Sequence, residues 1–249
     1  MEKGRKEARI GLDSEEDIIN RINNDSEFRN TLRKYIIYLG FTPEGEIIAR
    51  KDRIKTDILI KINGEIGISV KSSTKTSFHN LDRRRLENWK ELLDMPDEIF
   101  KTIKEAILRV ARNSRDKFIL EADRVRIKEF FTRHLKTIID EIFRKGEQTL
   151  KLLMINDKQE RKIYIYNMDE VLDFLYNNAI GKINFSNKGI IKLGDFITVQ
   201  RKGGNGKRVT IPKTDWNHPG NQLQFKFSPL QFAKYVAEKR PIKFYVINY

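Results

Sequence analysis

The sequence contains no cysteine, which excludes a disulfide framework, a thiolate zinc site and a cysteine nucleophile. Histidine is scarce: His79, His134 and His218 lie far apart without metal-ligand spacing, so each is expected to fill a surface or hydrogen-bonding role. No apolar run approaches the ~20 residues needed to cross a bilayer. The opening stretch MEKGRKEARIGLDSEED lacks a hydrophobic signal core, and a soluble cytoplasmic protein with no membrane attachment is expected. No repeat or low-complexity linker interrupts the chain. Its 249 residues, 39% of them hydrophobic, suffice for one sizeable core or a core with an attached lobe.

Acidic residues run short toward the C-terminus. Residues 181–249 hold 13 basic side chains against 3 acidic ones, or +10, leaving 36 against 32, or +4, for residues 1–180. A basic face of this kind suits a polyanion, through counterion release and long-range steering. The basic residues alternate with strand-like segments instead of recurring at helical spacing, which disfavours a basic amphipathic membrane helix.

Ser14 is placed to cap a helix through EEDIINRIN, and Asp25 or Ser26 a second through FRNTLRKYIIYL, with Gly40 as its stop. Residues 46–50, 56–62 and 66–71 read as a meander of strands. A helix is expected from Asn80 or Asp82 toward Leu93, and Pro96 interrupts it. Helical spacing then returns in IFKTIKEAILRVA and IKEFFTRHLKTIIDEIF. After Gly146 come strands at TLKLLMI and RKIYIYN, a helix around MDEVLDFLYNN, and strands at FITVQRK, LQFKF and IKFYVI. The long loop 203–221 is rich in Gly, Pro and Asn, a setting in which function is common.

The stretch KTDILIKINGEIGISVKSS opens one apolar arm with an acid and closes the other with a lysine. A strict two-residue Asn63-Gly64 turn would pair Asp57 with Val70 and put Asp57 and Lys71 on opposite faces. An offset of one residue instead pairs Ile62 with Ile66, Ile60 with Ile68 and Ile58 with Val70 on one apolar face. It leaves Asp57, Leu59, Ser69 and Lys71 on the other. The second register is expected because the first exposes a row of isoleucines, each contributing about 1.5–3 kcal/mol when buried. A carboxylate and an ammonium so assembled form either a structural ion pair on a sheet edge or a site for metal-assisted phosphodiester hydrolysis. In the latter a carboxylate and a strand carbonyl hold Mg2+ while the lysine stabilises hydroxide and developing charge.

The arrangement resembles the PD-(D/E)XK nuclease core, standing here as Thr56-Asp57 and Ser69-Val70-Lys71, with threonine for the proline and Ser69 where an acid is usual. The resemblance implies Asp57, Ser69 and Lys71 as the catalytic set, with the Val70 carbonyl on the metal. Glu15, in GLDSE, matches the family's helix-borne auxiliary acid; Glu87 is the alternative.

At the C-terminal end, VQRKGGNGKRV lacks the first glycine and the final Ser/Thr of a phosphate loop, since Arg201 and Arg208 stand there. It offers a strand end Gln200-Arg201-Lys202, a Gly203-Gly204 turn with Asn205 and Lys207 beyond it, and a partner strand with Gln222, Gln224 and Lys226. Arginine pairs bidentately with guanine and glutamine with adenine. Solvated strand ends around a loop account for the composition equally well. QRKGG, a short insert, then LQFK resembles the C-terminal segment of compact type II restriction endonucleases of the PD-(D/E)XK superfamily that cut GC-only four-base sites. In that resemblance GLDSEEDI, TDILI, ISVK and FHNLD also find counterparts, and FHNLD enters the DNA. His79 and Asn80 are then candidates for base edges. Of the basic run Arg83-Arg84-Arg85, expected on a helix, at most two should meet phosphates, with Arg83 and Arg84 the candidates.

The fold expected is α/β (α+β), a restriction-endonuclease-like core with a mixed sheet flanked by helices. A single domain is expected, with a catalytic core over about 1–95, an α-rich insertion over about 96–146 and a C-terminal β-rich DNA-reading part over about 147–249. The resemblance implies a Mg2+-dependent type II enzyme acting on double-stranded DNA as a monomer or homodimer, with a cognate methyltransferase acting on the same site. A repair or junction-resolving nuclease on the same core, and a non-catalytic DNA-binding protein, are the alternatives.

Overall fold

The structure is a computed structural model describing residues 2–42, 45–51, 55–61, 65–204 and 209–249. Its helices are α1 (Glu2–Asn24), α2 (Ser26–Tyr38), α3 (Leu86–Leu92), α4 (Asp97–Arg112), α5 (Arg124–Phe143), α6 (Met168–Ala179) and α7 (Pro229–Lys239). Its strands are β1 (Ile48–Lys51), β2 (Ile58–Lys61), β3 (Glu65–Ser73), β4 (His79–Arg84), β5 (Leu150–Asp157), β6 (Lys162–Asn167), β7 (Asn184–Phe185), β8 (Ile191–Leu193), β9 (Ile197–Arg201), β10 (Leu223–Phe227) and β11 (Tyr245–Asn248). They fall into two compact units, one of residues 1–77, 144–174 and 229–249, the other of 78–143 and 175–228.

The first unit is built on a six-stranded mixed sheet in the order β1-β2-β3-β5-β6-β11. β3 and β5 run parallel, while the other neighbours are antiparallel. A parallel partner must be reached by a long crossover, so β5 arrives only after residues 74–149. Strands expected in one C-terminal part therefore divide: β5, β6 and β11 complete the first sheet, and β7 to β10 belong to the second. Ile58, Ile60, Ile68, Val70, Leu152, Met154 and Ile165 form one core with Ile18, Ile22, Leu32 and Ile36 of α1 and α2. Asp25 caps α2 by accepting the Phe28 N–H at 3.0 Å, and Gly40, at φ +93°, follows its end. α1 differs from expectation. It runs unbroken from Glu2, so Ser14 is an interior residue, not a cap. The Glu, Lys, Arg and Ala that predominate upstream carry the helix past it despite Gly4 and Gly11.

The second unit carries a five-stranded antiparallel sheet in the order β4-β10-β9-β8-β7. Trp89 of α3 packs on Phe225 with ring centroids 4.7 Å apart, and Phe143 on Phe227 at 5.2 Å. The helix expected from Asn80 or Asp82 is a strand up to Arg84, and α3 starts only at Leu86. Pairing with β10 supplies β4 with a ladder that its own polar residues do not advertise.

Candidate active site and nucleic-acid interface

The β2–β3 register pairs Ile58 with Ile68, Leu59 with Gly67, Ile60 with Ile66 and Lys61 with Glu65. It corrects the expected pairs by two residues, a slip that leaves every side chain on its expected face. Ile62 and the Asn63-Gly64 turn lie outside the described residues. Asp57 therefore sits across from Ser69, with Lys71 one step further on the same face. The Asp57 Oδ2 atom accepts the Val70 N–H at 2.6 Å, the Ser69 hydroxyl at 3.1 Å and the Lys71 ammonium at 3.2 Å. Lys71 Nζ also donates to Ser69 Oγ at 2.7 Å and to the Val70 carbonyl at 3.1 Å. Ser69 thus bridges the two charges. The Lys71 and Asp57 side chains are 20% and 21% exposed, shielded enough for their attraction to exceed that of a surface pair yet open to a ligand.

Glu15, well inside α1, joins this group. Burial raises its pKa above the ordinary carboxylate value, as does the neighbouring Asp57 charge, while Lys51 and Lys71 pull it down. Lys51 Nζ lies 3.4 Å from Glu15 Oε2. A polar cluster fixes the helix at this level: the Ser14 hydroxyl accepts from Ser72 of β3 and from Asn156 Nδ2 of β5, and Tyr249 donates to Asn156 Oδ1 at 2.6 Å. Glu87, the alternative acid, belongs to the second unit and accepts the Trp216 indole N–H at 2.6 Å. Among the described residues no group of three or more His, Asp or Glu side chains is arranged to hold a metal. The donor set for a divalent ion is smaller. The bonds just described fall on Oδ2 of Asp57 and leave Oδ1 aside, the Val70 carbonyl is adjacent, and Glu15 adds a second carboxylate whose repulsion with Asp57 a cation would relieve. Hard oxygen ligands of this kind fit Mg2+.

One participant has no sequence signal. Glu147, in the turn before β5, accepts the Lys55 N–H at 2.6 Å, the Thr56 N–H at 2.9 Å and the Thr56 hydroxyl at 2.7 Å.

In the second unit the cross-strand row Arg83–Gln224–Gln200 places three of the expected DNA contacts on one face of the sheet. Phe225, Val199 and Leu223 are buried on the other face. Gln224 Nε2 donates to Asn80 Oδ1 at 2.9 Å, and Lys226 pairs with Asn80 across the β4–β10 ladder. His79 pairs with Phe227 at the end of β4. Arg83 is exposed; its charge, after burial, lowers the pKa of Lys202, whose ammonium donates to the Pro219 carbonyl at 3.0 Å. The Lys202 N–H donates to Gln222 O and the Gly203 N–H to Gly220 O, and Gly203 and Gly204 take φ of +67° and +83°, a conformation open chiefly to glycine. Arg201 Nε donates to Asn221 Oδ1 at 2.8 Å, while its buried Nη2 has no partner among the described residues. Burial lowers its pKa. Asn205 and Lys207 lie outside the described residues. His218 meets its expected role, accepting the Gly220 N–H at 2.9 Å. Arg84 is engaged differently: it bridges Asp82 and Glu141 and lies over the Trp89 ring at 4.6 Å. These internal partners claim its guanidinium, and its position on a strand replaces the expected fan of arginines around a helix.

The sequence model of the R.HinP1I restriction endonuclease family matches residues 51–232, most of the chain. The chain belongs to the R.HinP1I restriction endonuclease family. It is a site-specific DNA nuclease. A crystal structure of restriction endonuclease MspI in complex with its cognate DNA is similar in fold, with a TM-score of 0.60 over 90% of this chain and 91% of that one, at 15% identity. The likeness supports the restriction-endonuclease-like core expected from the sequence. No curated protein matches the sequence.

Proposed function

We propose that this member of the family hydrolyses both strands of DNA at a short specific site with Mg2+, leaving 5′-phosphate and 3′-hydroxyl ends. The observation that carries the reading is the convergence of Asp57, immediately before β2, with Ser69, Val70 and Lys71 of β3. Asp57 and the Val70 carbonyl would hold the metal, with Glu15 as the auxiliary acid in preference to Glu87, since Glu15 feels the charges of both Asp57 and Lys71. When bound, the ion supplies Lewis-acid polarisation of a phosphate oxygen and a more acidic water. Lys71, held by Asp57, Ser69 and Val70, places its ammonium where the attacking hydroxide and the pentavalent phosphorus develop negative charge. Ser69 keeps the lysine in place without adding a second strand-borne carboxylate.

DNA is read by the second unit's sheet face and the Gly-Gly turn. Gln200, Gln224, Arg83, Asn80 and Lys226 share the sheet region, His79 flanks it, and Arg201 to Gly204 and Gln222 close the turn. Asn205 and Lys207 are assigned to the same contact on the sequence resemblance. The basic excess of residues 181–249 and the exposed Arg83 support this assignment. A cognate methyltransferase acting on the same site, a cytoplasmic setting, and action as a monomer or homodimer complete the proposal. Digestion of a defined plasmid tests it. With Mg2+ the products should be discrete fragments with identical 5′-phosphorylated ends, and chelation should stop the reaction; nicking only at branched or damaged DNA would contradict it.

A further inference from the structure

We infer that Glu147 is a positioning residue for Asp57, acting through Thr56. Its carboxylate uses both oxygens on consecutive residues: Oε1 accepts the Lys55 N–H, and Oε2 accepts the Thr56 N–H and hydroxyl, at 2.6, 2.9 and 2.7 Å. The Asp57 N–H then donates to Ile68 O at 2.9 Å. Three successive amides are thereby held, two by one side chain and the third by β3, which fixes the backbone that delivers the Asp57 carboxylate. Thr56 is 1% exposed and is also wedged from the strand side, since a Cβ on Gly67 would stand 2.6 Å from its Oγ1. The turn that carries Glu147 is itself braced. The Glu147 N–H donates to Arg144 O, the Leu150 N–H donates to Glu147 O, and the Gly67 N–H donates to Thr149 O.

The geometry also gives a reason for threonine at this position. A proline there would restrict φ by its ring, but it has no N–H and no hydroxyl to offer Glu147. Here hydrogen bonds to a charged acceptor do the holding, and such bonds are stronger than neutral ones. Because a displacement of about 1 Å in a reacting group can cost on the order of 100-fold in rate, releasing the clamp should appear in the chemical step.

The inference rests on the reading of Asp57 as the catalytic carboxylate, so Asp57→Asn is measured beside Glu147→Gln, Thr56→Val, Thr56→Ser and the Glu147→Gln/Thr56→Val double variant. Single-turnover cleavage at saturating DNA is followed well below each variant's melting temperature, together with the DNA dissociation constant. Glu147→Gln keeps the side chain's size but turns an amide NH2 toward a donor. The rate should fall about 10- to 100-fold with the dissociation constant unchanged. Thr56→Val should fall comparably, Thr56→Ser should keep a rate close to the parent's, and the double variant should be no slower than the worse single one. Parental rates in Glu147→Gln, or losses that only track the unfolded fraction, overturn the inference. If Asp57→Asn also cleaves at the parental rate, the underlying site assignment falls with it; if Asp57→Asn is dead, only the positioning role does.

Discussion

Gly67→Ala is a one-methyl perturbation whose cost follows from the packing around β3. Gly67 has no positive φ to protect, so the effect is steric. Its new Cβ would lie 2.6 Å from Thr56 Oγ1, 2.9 Å from Thr56 Cγ2 and 3.1 Å from the Leu150 Cα. The last is backbone in a paired strand and cannot rotate away. Thr56 can move only by breaking its bond to Glu147. Overpacking of this kind costs about 1–3 kcal/mol, and each kcal/mol shifts the melting temperature of a chain this size by about 2–4 °C. Calorimetry should therefore show the transition of the first unit about 2–12 °C lower. A Thr56→Ala/Gly67→Ala double variant should be more stable than the sum of the single effects, because the alanine removes both contacting Thr56 atoms. A melting temperature within 1 °C of the parent's for Gly67→Ala, or strict additivity, would refute the described packing of Thr56.

The raised pKa of Glu15 gives a pH prediction. Its folded-state pKa lies above the ordinary value, so the protonated form persists to higher pH than for a free carboxylate. Any stability this protonation confers is full below the unfolded pKa and lost as pH rises through the folded one. In cleavage assays the Mg2+ concentration for half-maximal rate should rise on acidification, and Glu15→Gln should lose that dependence; a profile identical in the two proteins would remove Glu15 from the site. Arg84→Ala strands Asp82 and Glu141 in a partly buried setting and should cost about 3 kcal/mol in urea unfolding, while the salt slope of DNA binding stays unchanged. A lowered slope with full stability would return Arg84 to the DNA contacts. Arg83→Ala should have the opposite signature, with near-parental stability and, if Arg83 meets a phosphate, a salt slope reduced by about one.

Much of the first sheet was legible because its isoleucines alternate. Alternation identifies the face but not the partner, as every slip by two residues preserves it, and the β2–β3 register differs from expectation in this way. Asp57 and Lys71 still converge, since they needed only the right face. β4 was not legible: its Asn80 and Asp82 favour caps and turns locally, and a strand more than 130 residues downstream overrides them. α7 carried a start signal in Ser228-Pro229, the proline occupying the first helical position, but it lay between two strand-like segments. The placement of Glu15 near the charges of Asp57 and Lys71 was reachable through its spacing in GLDSE. Glu147 was not, because a lone glutamate in a turn has no pattern and its partners are backbone amides about ninety residues away in the chain.

On the proposed reading, Asp57 and Lys71 together perform phosphodiester hydrolysis. The most direct test compares Asp57→Ala and Lys71→Ala in single-turnover cleavage of a duplex carrying the recognition site, with salt-dependent binding of the same duplex measured in parallel. Cleavage should vanish in both while folding and the salt slope of binding persist; site-specific cleavage retained by both variants would rule out Asp57 and Lys71 as the catalytic pair.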